Sequence, residues 1–173
     1  MIRSTFLVII CGLVALCAVY GALVAIKGRK GALATVFGPI DRQPVDFATL
    51  QLKSSPNQYL VCPEGFCAAQ AHTTAPTFSV PVSELQTALL EVVAAQPSTE
   101  IIASNSAERQ FDIETLTPLM GYPDTVTVRF IEGPERSSTL AIYSRSHYGH
   151  SDIGANKKRI DSWLAEVIAL VDR

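Results

Sequence analysis

A chain of 173 residues with 14 basic and 16 acidic side chains, and a formal net charge of −2, is long enough to bury a real core. The charge is unevenly spread: the first thirty residues hold four cations and no acid, so the part after Lys30 carries ten cations against sixteen acids, about −6. Affinity for phosphate backbones rests on clustered Lys and Arg, so an acidic domain of this kind excludes nucleic acid as a partner.

Phe6 to Ile26 is a run of 21 residues without Asp, Glu, Lys, Arg, Asn, Gln or His. At about 1.5 Å per residue it spans roughly 31 Å, close to the hydrocarbon thickness of a bilayer. Arg3 precedes it and Lys27, Arg29 and Lys30 follow, where long cationic side chains reach the interface. The segment therefore predicts one transmembrane anchor, residues 1–30 with its flanks. A cleaved signal peptide is the rival reading, but the run is long for a signal core and lacks a clear Ala-x-Ala site. The flanking charges are almost balanced across the span and leave sidedness open. Cys11 and Cys17 lie within the span as small apolar residues, and the Cys17, Gly21, Ala25 spacing admits close packing of two anchors without fixing an oligomeric state.

Residues 31–57, interrupted by Gly31, Gly38, Pro39, Pro44 and Pro56, read as a linker or loosely packed arm. Residues 58–173 then read as one soluble domain. Near its start, Cys62 and Cys67 enclose Pro63-Glu64-Gly65-Phe66, a turn-rich stretch that can close a small disulfide loop in an oxidising compartment. With His72 the same pair has a Cys-x4-Cys-x4-His spacing that fits no common zinc signature, so a disulfide or two free thiols is the simpler reading. The cysteine pair favours an extracytoplasmic domain on a single-pass cell-membrane protein.

Ser83-Glu84-Leu85-Gln86 has the form of a helix start, with Ser83 as cap. Leu85, Ala88, Leu89, Val92 and Val93 form an apolar face ending at Pro97. Four segments of strand character follow: 100–103, 109–113, 125–131 and 138–143. Thr125-Val126-Thr127-Val128-Arg129-Phe130 alternates polar with apolar, which describes a sheet with one covered face. A second helix is predicted from about Asn156, as cap, to Val171, with Ile160, Leu164, Val167, Ile168 and Val171 as its stripe and Trp163 at the border. The expected fold is α+β: an antiparallel sheet of about four strands, two main helices covering one face, and the N-terminal transmembrane helix.

The densest polar run, Tyr143 to Arg159, lies between the last strand and the last helix. Ser144, Ser146, Gly149, Ser151, Asp152, Gly154, Asn156 and Arg159 match a Ser-x-Ser-Arg-x-Gly-x-Ser-Asp-x-Gly-x-Asn-x-x-Arg pattern, apart from its arginine, for which this chain has His147. On these residues the chain resembles the bacterial and plastid family catalogued as domain of unknown function 1499, from about Gln58 to Leu170. Cys62, Pro63 and Cys67 resemble an upstream motif of that family without its Pro-Asn, and the family often has Arg at the position of Tyr143. The resemblance implies membership and no activity, although several members also carry N-terminal membrane segments.

Ser, Asp, Asn and Gly at such a junction suit turn and cap chemistry, which makes the run a rigid corner. The functional alternative is a ligand site at a helix N-terminus formed by Ser144, Arg145, Ser146, His147, Ser151, Asp152, Asn156 and Arg159, engaging an anionic ligand or an envelope protein. A noncatalytic, membrane-tethered binding or assembly module of the cell envelope is the leading reading. Its rival is a metal-assisted hydrolase using His147, His150 and Asp152. A triad from Ser144 or Ser146 with His147 and Asp152 has no nucleophile elbow to support it. No cofactor motif appears.

Overall fold

The computed structural model describes residues 2–118 and 121–172. Arg3 and Arg173, one a flank of the expected anchor and the other the end of the expected domain, lie outside the described side chains.

The chain divides into two units, one reaching Asp41 and the other running from Arg42 onward. The first contains α1, Ile2–Phe37, whose helical path is interrupted at Gly28 with φ 70° and ψ 170°. Only glycine adopts that backbone at no cost, so the break falls where the apolar run gives way to Lys27, Arg29 and Lys30. The helix is long and apolar enough to cross a membrane. The stretch read as a linker, 31–57, is helical as far as Phe37, and from Arg42 it forms part of the second unit, with Phe47 fully buried.

The second unit is α+β. After β1, Gln58–Cys62, and β2, Thr73–Thr74, come α2, Val82–Ala95, then β3, Thr99–Asn105, β4, Gln110–Leu116, β5, Pro123–Glu132, β6, Ser138–Ser146, and α3, Ala155–Val171. The sheet has six strands in the order β2-β1-β6-β5-β4-β3. All neighbouring pairs are antiparallel except β1 with β2, so the sheet is mixed rather than purely antiparallel. Two strands beyond the expected four are β1 and β2. The first escapes a period-two reading because Gln58-Tyr59-Leu60-Val61-Cys62 is buried at every position and so does not alternate. The second is two residues long and depends on its partner alone.

Both faces of the sheet are covered, which corrects the one-face reading of Thr125 to Phe130. On one face α2 and α3 pack over Tyr59, Val61, Ile113, Val126, Val128, Leu140 and Ile142. Leu85, Ala88, Leu89, Val92 and Val93 of α2 are all buried there, joined by Val82. Emptying any large one of these sites to Ala costs about 2–5 kcal/mol, because removed contacts and a residual cavity add. On the other face irregular chain carrying Val45, Phe47, Leu50 and Leu52 covers Leu60, Cys62, Ala141 and Tyr143. This cover is pinned through its carbonyls: Ala68 N–H donates to the Phe47 carbonyl at 2.9 Å, and the Gln110 side-chain amide donates to the Val45 carbonyl at 2.9 Å. Thr125 and Thr127 consequently lie buried rather than in solvent.

Two helix starts differ from expectation. In α2 the cap position is Pro81, whose carbonyl accepts from Glu84 N–H and Leu85 N–H, and Ser83 lies inside the first turn. In α3 the cap position is Gly154, in the left-handed region at φ 77°, and Asn156 lies inside the helix with no exposure. Along α3 Trp163 is central to the core at 2 % exposure, whereas Ile168 is 41 % exposed.

Candidate functional site

β6 is flanked by β1 and β5, and its side chains alternate between the two covered faces. Ser144 and Ser146 turn towards α3, while Arg145 and His147 turn to the face under the irregular cover. The polar run read from sequence as one cluster is thereby divided in two.

The α3 side is a closed hydrogen-bond network centred on Asn156. Its amide nitrogen donates to the Asn57 carbonyl at 3.0 Å, to Ser146 Oγ at 3.0 Å and to Asp152 Oδ2 at 2.7 Å. Its oxygen accepts from Ser144 Oγ at 2.5 Å and from Arg159 Nη1 at 2.8 Å. Arg159 also donates to Ser144 Oγ at 2.9 Å and, through Nη2, to Asp124 Oδ2 at 2.6 Å. Asp124 is 1 % exposed and its Oδ1 has no hydrogen-bond partner among the described residues, so the guanidinium is the main compensation for that buried charge. Asp152 supplies the cap that Gly154 lacks: Oδ1 accepts from Gly154 N–H at 3.0 Å and Oδ2 from Asn156 N–H at 2.7 Å. A carboxylate beside the first turn is favoured by the orphan amides and the helix dipole. Asn57, which the sequence did not single out, closes the corner by donating to the Gly149 carbonyl at 2.7 Å. Ser151 and His150 lie outside this network in exposed positions, the Ser151 hydroxyl accepting from Ile153 N–H at 3.2 Å.

The other side of β6 holds a different arrangement. Arg145 is 9 % exposed, with its guanidinium 5.4 Å from the centre of the Tyr143 ring and donating to Thr127 Oγ1 at 3.3 Å. Thr127 in turn donates to Asp112 Oδ1 at 2.5 Å. His147 Nε2 lies 2.6 Å from Thr125 Oγ1. Arg42 reaches across from the cover to Glu114 at 2.6 Å, Glu114 being nearly fully buried. Between them is a cavity of about 140 Å³ lined by Arg42, Gln43, Ile102, Ala103, Asp112, Thr125 and Arg145. Burial, then the cations Arg145, Lys53 and Arg42, push the His147 imidazolium down to about 4, against which Glu114 acts alone, so His147 is neutral at ordinary pH. Tyr143 is held above its ordinary value by burial, with Arg145 pulling the other way, and its hydroxyl donates to Gln58 Oε1 at 2.6 Å.

A family model for proteins of unknown function, DUF1499, matches residues 43–167. The chain belongs to the DUF1499 family. That match includes the cover from Gln43, the whole sheet, α2 and α3 as far as Val167, so the DUF1499 domain begins well before Gln58. Of the eight residues that carry the resemblance, Ser144, Ser146, Asp152, Asn156 and Arg159 join the Asn156 network through their side chains, while between them Arg145 lines the cavity and His147 meets Thr125 on the same face. No curated protein matches the chain. Among solved structures, a structural-genomics target from Nitrosospira multiformis aligns with a TM-score of 0.45 at 10 % identity, covering 57 % of this chain and 93 % of that one. That likeness is too distant to carry an argument.

The remaining sequence candidates separate in space. Cys62 and Cys67 are joined in a disulfide, and His72 Nδ1 accepts from Leu60 N–H at 3.0 Å as part of the β1 edge. Asp152 is committed to Gly154 and Asn156 on the α3 side, while His147 sits against Thr125 on the other, so neither a Ser-His-Asp triad nor a His147, His150, Asp152 metal set is assembled. Among the described residues no three His, Cys, Asp or Glu side chains converge as a metal site. Arg42, Asp112, Glu114, Thr125 and Thr127 went unnoticed in the sequence. For Asp112, Glu114, Thr125 and Thr127 the signal there is the regular spacing of polar residues on β4 and β5, which solvent-facing strands share, and Arg42 carries none.

Proposed function

We propose that this DUF1499 protein is a noncatalytic binding module of the cell envelope, tethered by its N-terminal helix, in which the Asn156 corner maintains shape and the Arg145 face recognises a ligand. The observation carrying this reading is the division of labour on β6. Ser144 and Ser146 bond to Asn156 within the corner, whereas Arg145, which donates to Thr127, lines a cavity on the opposite face. Two further features support the setting. Apolar side chains along the span are exposed, Phe6 to 66 % and Leu16 to 66 %, which suits a helix whose surroundings are lipid. The Cys62–Cys67 disulfide suits an oxidising, extracytoplasmic compartment.

The test is complementation of a strain lacking the protein. Arg145→Gln, accumulating at the normal level and melting within a few degrees of the parent, fails to restore the deletion phenotype. Full restoration by that variant sinks the reading. Sidedness is tested separately with a membrane-impermeant thiol reagent after reduction of intact cells. Labelling of Cys62 and Cys67 only after lysis overturns the extracytoplasmic placement.

A further inference from the structure

We propose that the open edge of β3 receives an extended segment of a partner protein, and that a Lys or Arg side chain of that segment enters the acidic cavity between the cover and the β3–β4 hairpin. The inference goes beyond the Arg145 reading, concerns a different site, and stands or falls independently of it.

Three observations converge on it. The first is the edge itself. β3 ends the sheet, so among the described strands β4 alone pairs with it. The opposite edge is blunted by the two-residue β2. β3 has seven residues without a Lys, Arg or Pro, and Ile101 on it is 48 % exposed, so the usual guards against strand addition are lacking. A register shift between Ile101 and Ala103 bends its ladder with β4, and beyond the bend Ala103, Ser104 and Asn105 are all exposed.

The second is charge. Those same three residues border a cavity of about 230 Å³ whose walls carry Asp46 from the cover and Glu108 and Asp112 from the hairpin, and no Lys or Arg. Asp46 accepts from Ala48 N–H and from the Thr49 hydroxyl, both at 3.0 Å, and Asp112 accepts from the Thr127 hydroxyl, so neutral donors hold these two carboxylates and leave their charge in place. Glu108 is shared with Arg129 at 3.5 Å, and Asp112 also borders the Arg145 cavity. In a part of the chain carrying about −6, a recess walled by one sign of charge concentrates the field on an incoming cation.

The third is an acceptor without a donor. Gln110 is 5 % exposed and lines the cavity. Its nitrogen donates to the Val45 carbonyl at 2.9 Å, which fixes the orientation of the amide, and its buried Oε1 has no hydrogen-bond partner among the described residues. A buried acceptor is costly to leave unpaired, and an ammonium or guanidinium N–H entering the cavity satisfies it. An extended segment added to β3 delivers such a group naturally: its main chain bonds to the edge, and every second side chain points to the face on which the cavity lies.

The experiment uses the full chain in nanodiscs of zwitterionic lipid, with short blocked Thr/Val peptides whose central residue is Arg, Gln or Glu as probes, followed by amide NMR. The Arg peptide binds saturably and shifts the amides of Ala103, Ser104 and Asn105 and the side-chain NH₂ of Gln110. The Gln peptide binds about tenfold more weakly, and the Glu peptide does not bind. N-methylation of alternate amides in the Arg peptide, which removes its ladder donors and keeps the guanidinium, abolishes binding, and methylguanidinium alone binds far more weakly than the peptide. Asp46→Asn, which keeps an acceptor for the turn and loses the charge, weakens the Arg peptide several-fold, and adding Asp112→Asn brings the loss to about tenfold or more. Glu84→Gln, on the exposed side of α2, leaves it unchanged. If the double variant fails to fold, Asp46→Asn decides. Equal binding of the Arg and Gln peptides, or indifference to Asp46→Asn, overturns the cation-accepting cavity; binding that survives N-methylation, or methylguanidinium that matches the peptide, overturns the extended partner. Complementation by Arg145→Gln reports on the Arg145 face alone, so the two readings fail separately.

Discussion

Ser144 and Arg145 are adjacent on β6 and live in opposite settings. Around Ser144, the bonds of Asn156, Arg159 and Asp152 end on other members of the corner, so the network consumes itself. Around Arg145, the polar groups range from the nearly fully buried Glu114 to the half-exposed Arg42, and they border a cavity. The difference teaches that a signature rich in Ser, Asp, Asn and Arg can be an architectural lock, with the residues interleaved between its members serving the opposite face. In a strand covered on both sides, a one-residue step changes the environment completely.

The sharpest way to break the comparison is at Arg159. Arg159→Ala strands the Asp124 carboxylate and removes two donors from the corner, so it costs about 3–5 kcal/mol in denaturant unfolding, and adding Asp124→Asn to the same chain recovers part of the loss. A corner serving mainly as a ligand site would lose little stability. Next in size is the disulfide under the loop-covered face. Converting Cys62 and Cys67 together to Ser lowers stability by about 2 kcal/mol, the value for closing so short a loop, and raises amide exchange in residues 45–52 more than in α2 or α3.

The third effect is pH-dependent. His147 titrates at about 4 in the folded chain against an ordinary 6.5, so between those values the unfolded state binds more protons. The contribution of His147 to stability is therefore full above about pH 6.5, is lost as pH falls towards about 4, and changes no further below. For a half-buried ring the total comes to about 1–2 kcal/mol after solvent screening. His147→Gln removes this slope in a comparison of melting temperature against pH, whereas Ser144→Ala leaves it intact. The smallest effect is at the edge of the corner, where Ser151→Ala changes stability by less than about 0.5 kcal/mol in the same assay because the side chain is exposed.

How much of this was legible beforehand depends on the interaction range. The apolar face of α2 was readable because Leu85, Ala88, Leu89, Val92 and Val93 recur at the helical period, a property of adjacent turns. Four strands were readable from β-branched and aromatic content, but β1 was not, since a strand buried on both faces carries no alternation. The importance of Asn57 was hidden as well: its bond to Gly149 spans 92 positions, and no local pattern announces such a partner. Asn156 was legible as a polar residue at a helix start and misplaced as the cap, because the cap position falls two residues earlier, at Gly154 with φ 77°, and Asp152 does the capping.

The amino-acid sequence by itself determined the span-length apolar helix, the α+β class, family membership and the polar content of the strand-to-helix turn, since each follows from composition or from neighbours within a few residues. Only the tertiary structure decided that Arg42 meets Glu114 across 72 positions, that the chain after Arg42 covers the second face, and that Ser144 and Arg145 part company. The reason is physical: which face of a strand becomes a lock and which a cavity is set by what packs against it, and those partners come from distant parts of the chain.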